Sequence, residues 1–115
     1  MTALTVEEDR IGKVLVVSPT GRLDSGTAKD FDTLLAGRIA EGETSLLLDF
    51  TNLDYISSAG LRVVLLAGKR TGAGGGKTEL CGLGSSIREV FEISGFLSIF
   101  KVYEDRAAAT AALSA

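Results

Sequence analysis

Two adjacent serines, Ser57 and Ser58, stand near the end of the stretch Asp49-Phe-Thr-Asn-Leu-Asp-Tyr-Ile-Ser57-Ser58-Ala-Gly60-Leu61. The apolar run Leu46–Leu48 before it reads as a buried strand, and the spacing of apolar residues after it predicts a helix from Ser58. The serine hydroxyls then sit at a helix start beyond the carboxyl end of a strand, where open α/β sheets form their sites. Unpaired N–H groups and the positive end of the helix dipole suit a phosphate there, an effect worth up to about 2 kcal/mol in partly buried cases. Serine is a residue that can carry one. Ala59 and Gly60 have almost no side chain, so a facing protein can approach the hydroxyl closely. The structural alternative is that one of the two serines is an N-cap, whose loss to alanine costs about 1 kcal/mol. Spacing alone does not separate these roles.

Three other groups invite chemistry. Gly21-Arg-Leu-Asp24-Ser-Gly places a carboxylate in a turn just before a helix. Thr71-Gly-Ala-Gly-Gly-Gly-Lys77-Thr78 nearly spells the phosphate-cradling loop G-x-x-x-x-G-K-[ST], but Thr71 replaces its first glycine. A phosphate loop also leads from strand into helix, whereas this segment is read as leading from helix into strand. Its glycines are expected to serve a flexible connection. Cys81 lies among Leu80, Gly82 and Leu83 with no basic neighbour in sequence, so packing is expected of it rather than reactivity.

The elements that position these residues follow from periodicity and turn signals. Leu4 and Val6, then Val14–Val17, read as two strands of a hairpin. Gly21 punctuates the chain, and Phe31, Leu34, Leu35 and Ile39 mark one face of a helix that ends at Gly42. Thr27 with Asp30 suits that helix's first turn. In the helix from Ser58, the stripe Leu61, Val64, Leu65 and Gly68 is expected to face the core, with Val63, Leu66 and Ala67 widening it. A strand is expected over Thr78–Gly82. A third helix with a Ser86/Glu89 capping box should follow and stop at Gly95, before a last strand over Ile99–Val102. Asp105–Leu113 reads as an alanine-rich helix with its acidic residues at the start. The order ββαβαβαβα implies an α/β fold, with a mixed, mostly parallel sheet, about four helices and one antiparallel edge from the first hairpin.

Composition narrows the function. The 115 residues suit one domain spanning residues 1–115. There is no histidine and a single cysteine, which removes histidine-based catalytic triads, Cys-His pairs, histidine-bound metals and an internal disulfide. The net charge is −3 with scattered lysines and arginines, so no direct nucleic-acid partner is expected. No apolar run nears the roughly 20 residues of a bilayer span, and Met1–Asp9 lacks the pattern of a signal peptide. A cytoplasmic protein without membrane insertion or cofactor is expected.

Together these segments resemble the anti-sigma factor antagonist family, the STAS domains of bacterial partner-switching pathways. Gly21-Arg-Leu-Asp24 resembles the family's G-x-L-D turn, and Asp49 through Leu61 its D-x-x-x-L-x-x-x-D-S-[ST]-G-L signature. Cys81-Gly-Leu and Ile87 through Phe96 resemble its later strand and helix. The resemblance implies a STAS-like fold and a regulatory binding protein, not an enzyme. It implies that Ser58 is phosphorylated by a serine kinase that also acts as anti-sigma factor, and that a serine phosphatase resets it. Asp24, Ser57, Ala59, Gly60 and Leu61 are then the expected partner-binding residues. The family carries aspartate where this chain has Ser57, and serine or threonine where it has Ala59, which makes Ser57 a second possible acceptor. Two other readings stand beside it. One is an unphosphorylated accessory subunit of a larger assembly, such as a stressosome or a lipid-transport ATPase. The other is a nucleotide-binding enzyme using Gly72–Thr78 with Asp24, Asp49 and Asp54, disfavoured because those carboxylates have no general-base partner in sequence.

Overall fold

The computed structural model describes residues 4–113, so Met1–Ala3 at the head of the Met1–Asp9 segment lie outside the described residues. The chain runs β1 (Leu4–Ile11), β2 (Val14–Leu23), α1 (Ala28–Ala40), β3 (Ser45–Asp49), β4 (Leu53–Ile56) and α2 (Ser58–Ala73). It continues as β5 (Lys77–Cys81), α3 (Ser85–Ile93), a 3-10 turn (Phe96–Ser98), β6 (Val102–Tyr103) and α4 (Arg106–Leu113). The sheet order is β1-β2-β3-β5-β6. β1 and β2 form the expected antiparallel hairpin, and the other pairings are parallel. The mixed, mostly parallel α/β sheet with four helices is the fold expected from the sequence.

β2 is long enough to serve two neighbours. Leu15–Val17 pair with Leu46–Leu48 of β3, while Gly21–Leu23 pair with β4 after a register shift at Gly21 and Arg22. Gly21 therefore lies inside a strand rather than ending one, and its φ of 110° supplies the kink. The continuous apolar character of β3 reflects burial on both faces. Leu46, Leu48 and Phe50 join Phe31, Leu35, Val64 and Phe91 in the larger core beneath α1, α2 and α3. Leu47 points the other way, with Val14, Val16, Cys81 and Ala109 of α4. Side-chain alternation puts Asp49 on this second face as well.

Several local expectations are corrected. The stretch before Ser57 contains β4, a strand absent from the expected order, whose four residues bury only their first and last members and so show no clear period. The last strand is Val102–Tyr103 rather than Ile99–Val102, because the 3-10 turn carries the chain past Ile99 and drops Phe100 against Gly68 of α2. The Ser86/Glu89 capping box does not form: the N-cap of α3 is the extended Gly84, two residues before Ser86, and the helix has no side-chain cap. Thr27 occupies the N-cap position of α1, yet its hydroxyl turns back to Arg22 O and Asp24 N instead of capping. In α2 the buried stripe is Gly60, Val63, Val64, Ala67 and Thr71, with Leu61 and Leu65 only half-buried. Its small residues face inward, which lets the helix lie close to the sheet.

Candidate functional site

The site is assembled where β2 and β4 end together. The Ser57 N–H donates to the Leu23 carbonyl at 2.9 Å, pinning the start of α2 to the end of β2. Ser57 has extended backbone angles, and its Oγ accepts from the Gly60 N–H at 3.3 Å, so it is the N-cap. The Leu61 N–H goes to the Ser57 carbonyl at 2.9 Å. Among the described residues, the N–H groups of Ser58 and Ala59 at the helix tip have no protein acceptor. Ser58 is the first helical residue and is exposed, whereas Ser57 is half-buried. The two serines thus divide the roles that spacing left undecided: one hydroxyl is spent on the backbone and the other faces outward.

Gly60 is required by contact rather than by φ. A Cβ there would lie 2.9 Å from the Leu23 carbonyl oxygen, 2.9 Å from Leu23 Cγ and 2.8 Å from Ile56 Cγ1. The buried glycine lets the first turn of α2 settle directly on the ends of both strands. Ala59 is half-buried and borders a shallow groove of about 260 Å³ between α1 and α2, flanked by Lys29, Asp32 and Arg62. Leu61 packs against the main core.

Asp24 belongs to the same end of the molecule, but its carboxylate is turned into its own loop. Oδ1 accepts from the Gly26 N–H at 2.9 Å and lies 3.4 Å from the Thr27 hydroxyl, and the Asp24 carbonyl accepts from the Ala28 N–H. The Gly26 hydrogen bond above all, with help from Thr27 and the nearby Arg22, holds its pKa below the ordinary carboxylate value. Asp24 therefore shapes the turn that follows Leu23, next to the start of α2. Asp54 is exposed on β4. Asp49 is elsewhere: its carboxylate sits on the α4 face, 2.9 Å from Arg106 Nε, and takes both the hydroxyl and N–H of Thr51. The three carboxylates weighed for an enzyme do not converge on one centre.

The glycine-rich segment runs from α2 into β5, as read from the sequence. The Thr71 and Thr78 hydroxyls are buried against each other at 2.9 Å, closing the base of the connection. Only Gly75 in it has positive φ, and a Cβ on Gly76 would meet the Thr44 carbonyl oxygen. Cys81 is buried, and burial first, then the neighbouring Asp49, pushes its thiol up to about 12. It is a packing residue.

Sequence reasoning passed over two residues of this surface. Arg22 lies over the Tyr55 ring at 4.2 Å from its centroid, and both are exposed. Their pairing depends on the Gly21 kink and on β4, and neither is legible as a period.

Residues 5–109 match the family model of the STAS domain. The chain belongs to the STAS domain family. It is 48% identical over 104 residues to BtrV of Bordetella bronchiseptica, named as an anti-sigma factor antagonist, covering 90% of each chain. In structure it is similar to an anti-sigma factor antagonist from Thermotoga maritima, with a TM-score of 0.91 at 18% identity over 96% of this chain and 95% of that one. It also matches the Bacillus protein SpoIIAA in two forms. The unphosphorylated form has a TM-score of 0.82 at 20% identity, covering 96% and 98% of the two chains. The phosphorylated form has a TM-score of 0.71 at 23% identity, covering 93% and 96%. These structural likenesses establish a shared STAS fold. No helix among the described residues is long and apolar enough to cross a membrane.

Proposed function

We propose that this STAS domain is a cytoplasmic anti-sigma factor antagonist, which in its unmodified state binds a serine kinase anti-sigma factor and so releases a sigma factor. Phosphorylation of Ser58 by that kinase breaks the contact, and a serine phosphatase restores it. One observation carries the reading: Ser57 is consumed as the helix cap while Ser58 stands exposed beside Ala59 and the buried Gly60. The name of its relative BtrV supports the class of function. Ser57 also explains how the chain tolerates the absence of the family's aspartate, since serine and aspartate are comparably good N-caps.

The mechanism is electrostatic and local. Phosphorylation adds about 1.5 to 2 negative charges at neutral pH. Within this chain the unpaired N–H groups of Ser58 and Ala59 favour that charge. Arg62 lies one turn further along α2, within reach of a side chain at position 58. A partner surface fitted to a hydroxyl and small side chains has no such compensation. Asp24, held ionised in its turn, adds repulsion on the partner's side of the contact only if the partner is itself acidic there.

The test is phosphosite mapping by mass spectrometry together with binding measurements on two variants. Ser58→Ala is expected to bind the kinase as tightly as the wild type and to accept no phosphate, while Ser58→Asp weakens binding by at least about tenfold. Equal binding by both variants, or modification at Ser57 instead, removes the mechanism.

A further inference from the structure

A second cleft lies at the opposite end of the sheet, where the parallel strands begin. It has a volume of about 840 Å³, within the range of small-ligand sites, and is bounded by the β1–β2 turn, the starts of β3 and β5, β6 and the last turn of α4. Three of the chain's five lysines line it: Lys13, Lys77 and Lys101. That concentration of positive charge is notable in a chain whose net charge is −3. The one acid in the lining is Glu79, and it is buried and already engaged. Its Oε1 accepts from the Tyr103 hydroxyl at 3.0 Å, and Lys77 Nζ lies 3.8 Å from Oε2. Lys101 Nζ rests 5.5 Å over the Tyr103 ring, and among the described residues no acid pairs with Lys101 or Lys13.

The chemistry of these groups selects an occupant. No arginine lines the cleft, so an anion there would meet no planar, two-pronged donor set. Lysine acts as a mobile point charge, the mode suited to phosphate oxygens. With Glu79 offsetting one of the three lysines, the lining carries about two positive charges. We propose that this cleft binds a small molecule carrying a diphosphate or two phosphate groups, with Lys13 and Lys101 as its direct ligands and Lys77 held in place by Glu79. The cleft lies at the opposite end of the sheet from Ser58 and shares no lining residue with the surface around it.

The experiment is a titration of the intact ¹⁵N-labelled protein with inorganic pyrophosphate, followed by amide chemical shifts. The wild type should show saturable shifts confined to the neighbourhood of Lys13, Ser45, Lys77 and Tyr103. Affinity should fall at least about tenfold in the double variant Lys13→Gln, Lys101→Gln, and should be unchanged in Lys69→Gln. Lys13 and Lys101 are both exposed, so the double variant keeps the fold, which its unperturbed spectrum verifies. Equal affinity in the double variant overturns the proposal. So do shifts that never saturate and spread to Lys29 and Lys69, or a glutamate-rich peptide that binds the cleft more tightly than pyrophosphate.

Discussion

The segment from Asp49 to Leu61 has two chemically active ends, and they behave oppositely. At one end, Asp49 is buried on the α4 face, and Arg106, which holds it, also contacts Ser18 and Asp9. This cluster fastens α4 to the sheet. At the other end, Ser58 makes no demanding contact and is surrounded by the smallest side chains in the region. The residues that look most like a catalytic centre in the sequence are the structural ones, and the plain residues form the surface open to a partner. Charge that is fully satisfied inside the chain is not available for work outside it.

The contrast is broken most severely at Asp49. Asp49→Ala leaves Arg106 with only Ser18 and the exposed Asp9 and frees Thr51, and should cost about 3 kcal/mol in urea unfolding, the low end for a broken buried pair because Arg106 is partly solvated. The same cluster sets a pH dependence. Burial pushes the Asp49 carboxyl up, but the two Thr51 hydrogen bonds and Arg106 outweigh it, and the net shift is below the ordinary value of 3.8. A lowered folded-state pKa means that the stabilisation is complete above that value and is lost as pH falls through the folded one. The wild type should therefore lose stability below about pH 4, and Asp49→Asn, already deprived of the ion pair, should show a shallower acid slope.

A smaller effect belongs to Gly60. Gly60→Ala presses a methyl group onto the Leu23 carbonyl, which is backbone and cannot swing away, and should cost about 2 kcal/mol while loosening the start of α2. Binding of the partner should weaken along with stability, and a variant that is destabilised yet binds normally would separate the helix seat from the docking surface.

The smallest effects sharpen the comparison between the two serines. Ser57→Ala removes the cap and should lower stability by about 1 kcal/mol. Ser58→Ala, at an exposed position that caps nothing, should stay within about 0.5 kcal/mol of wild type. A reversal of these two values would mean that the helix starts one residue later than described.

That single residue also shows where sequence reading stops. The hairpin, α1 and the buried β3 were legible because each carries its own apolar signature, periodic in α1 and a continuous run in β3. The location of the site was legible too, since a strand followed by small residues and a helix fixes its place in the topology. Which serine caps the helix was not, because the answer depends on the Leu23 carbonyl reaching Ser57 from 34 positions earlier in the chain. β4 escaped notice for a related reason: its four residues are held by the far end of β2, not by a pattern of their own. The Ser86/Glu89 motif misled in the other direction, a local signature overruled when the extended Gly84 took the N-cap position two residues before Ser86. Arg106 was unremarkable in sequence, and only the sheet brings it to Asp49 across 57 positions.

The missing side chain at position 60 has one more consequence. With nothing between the first turn of α2 and the ends of two strands, the turn at Asp24 and the helix tip at Ser58 are seated on one backbone joint. A partner docking there would meet a backbone template set by that joint, with Arg22, Tyr55 and Arg62 as the larger side chains around it. If the chain acts as the proposed switch, exchanging those three side chains would retune its choice of partner without disturbing the joint, since none of them enters it.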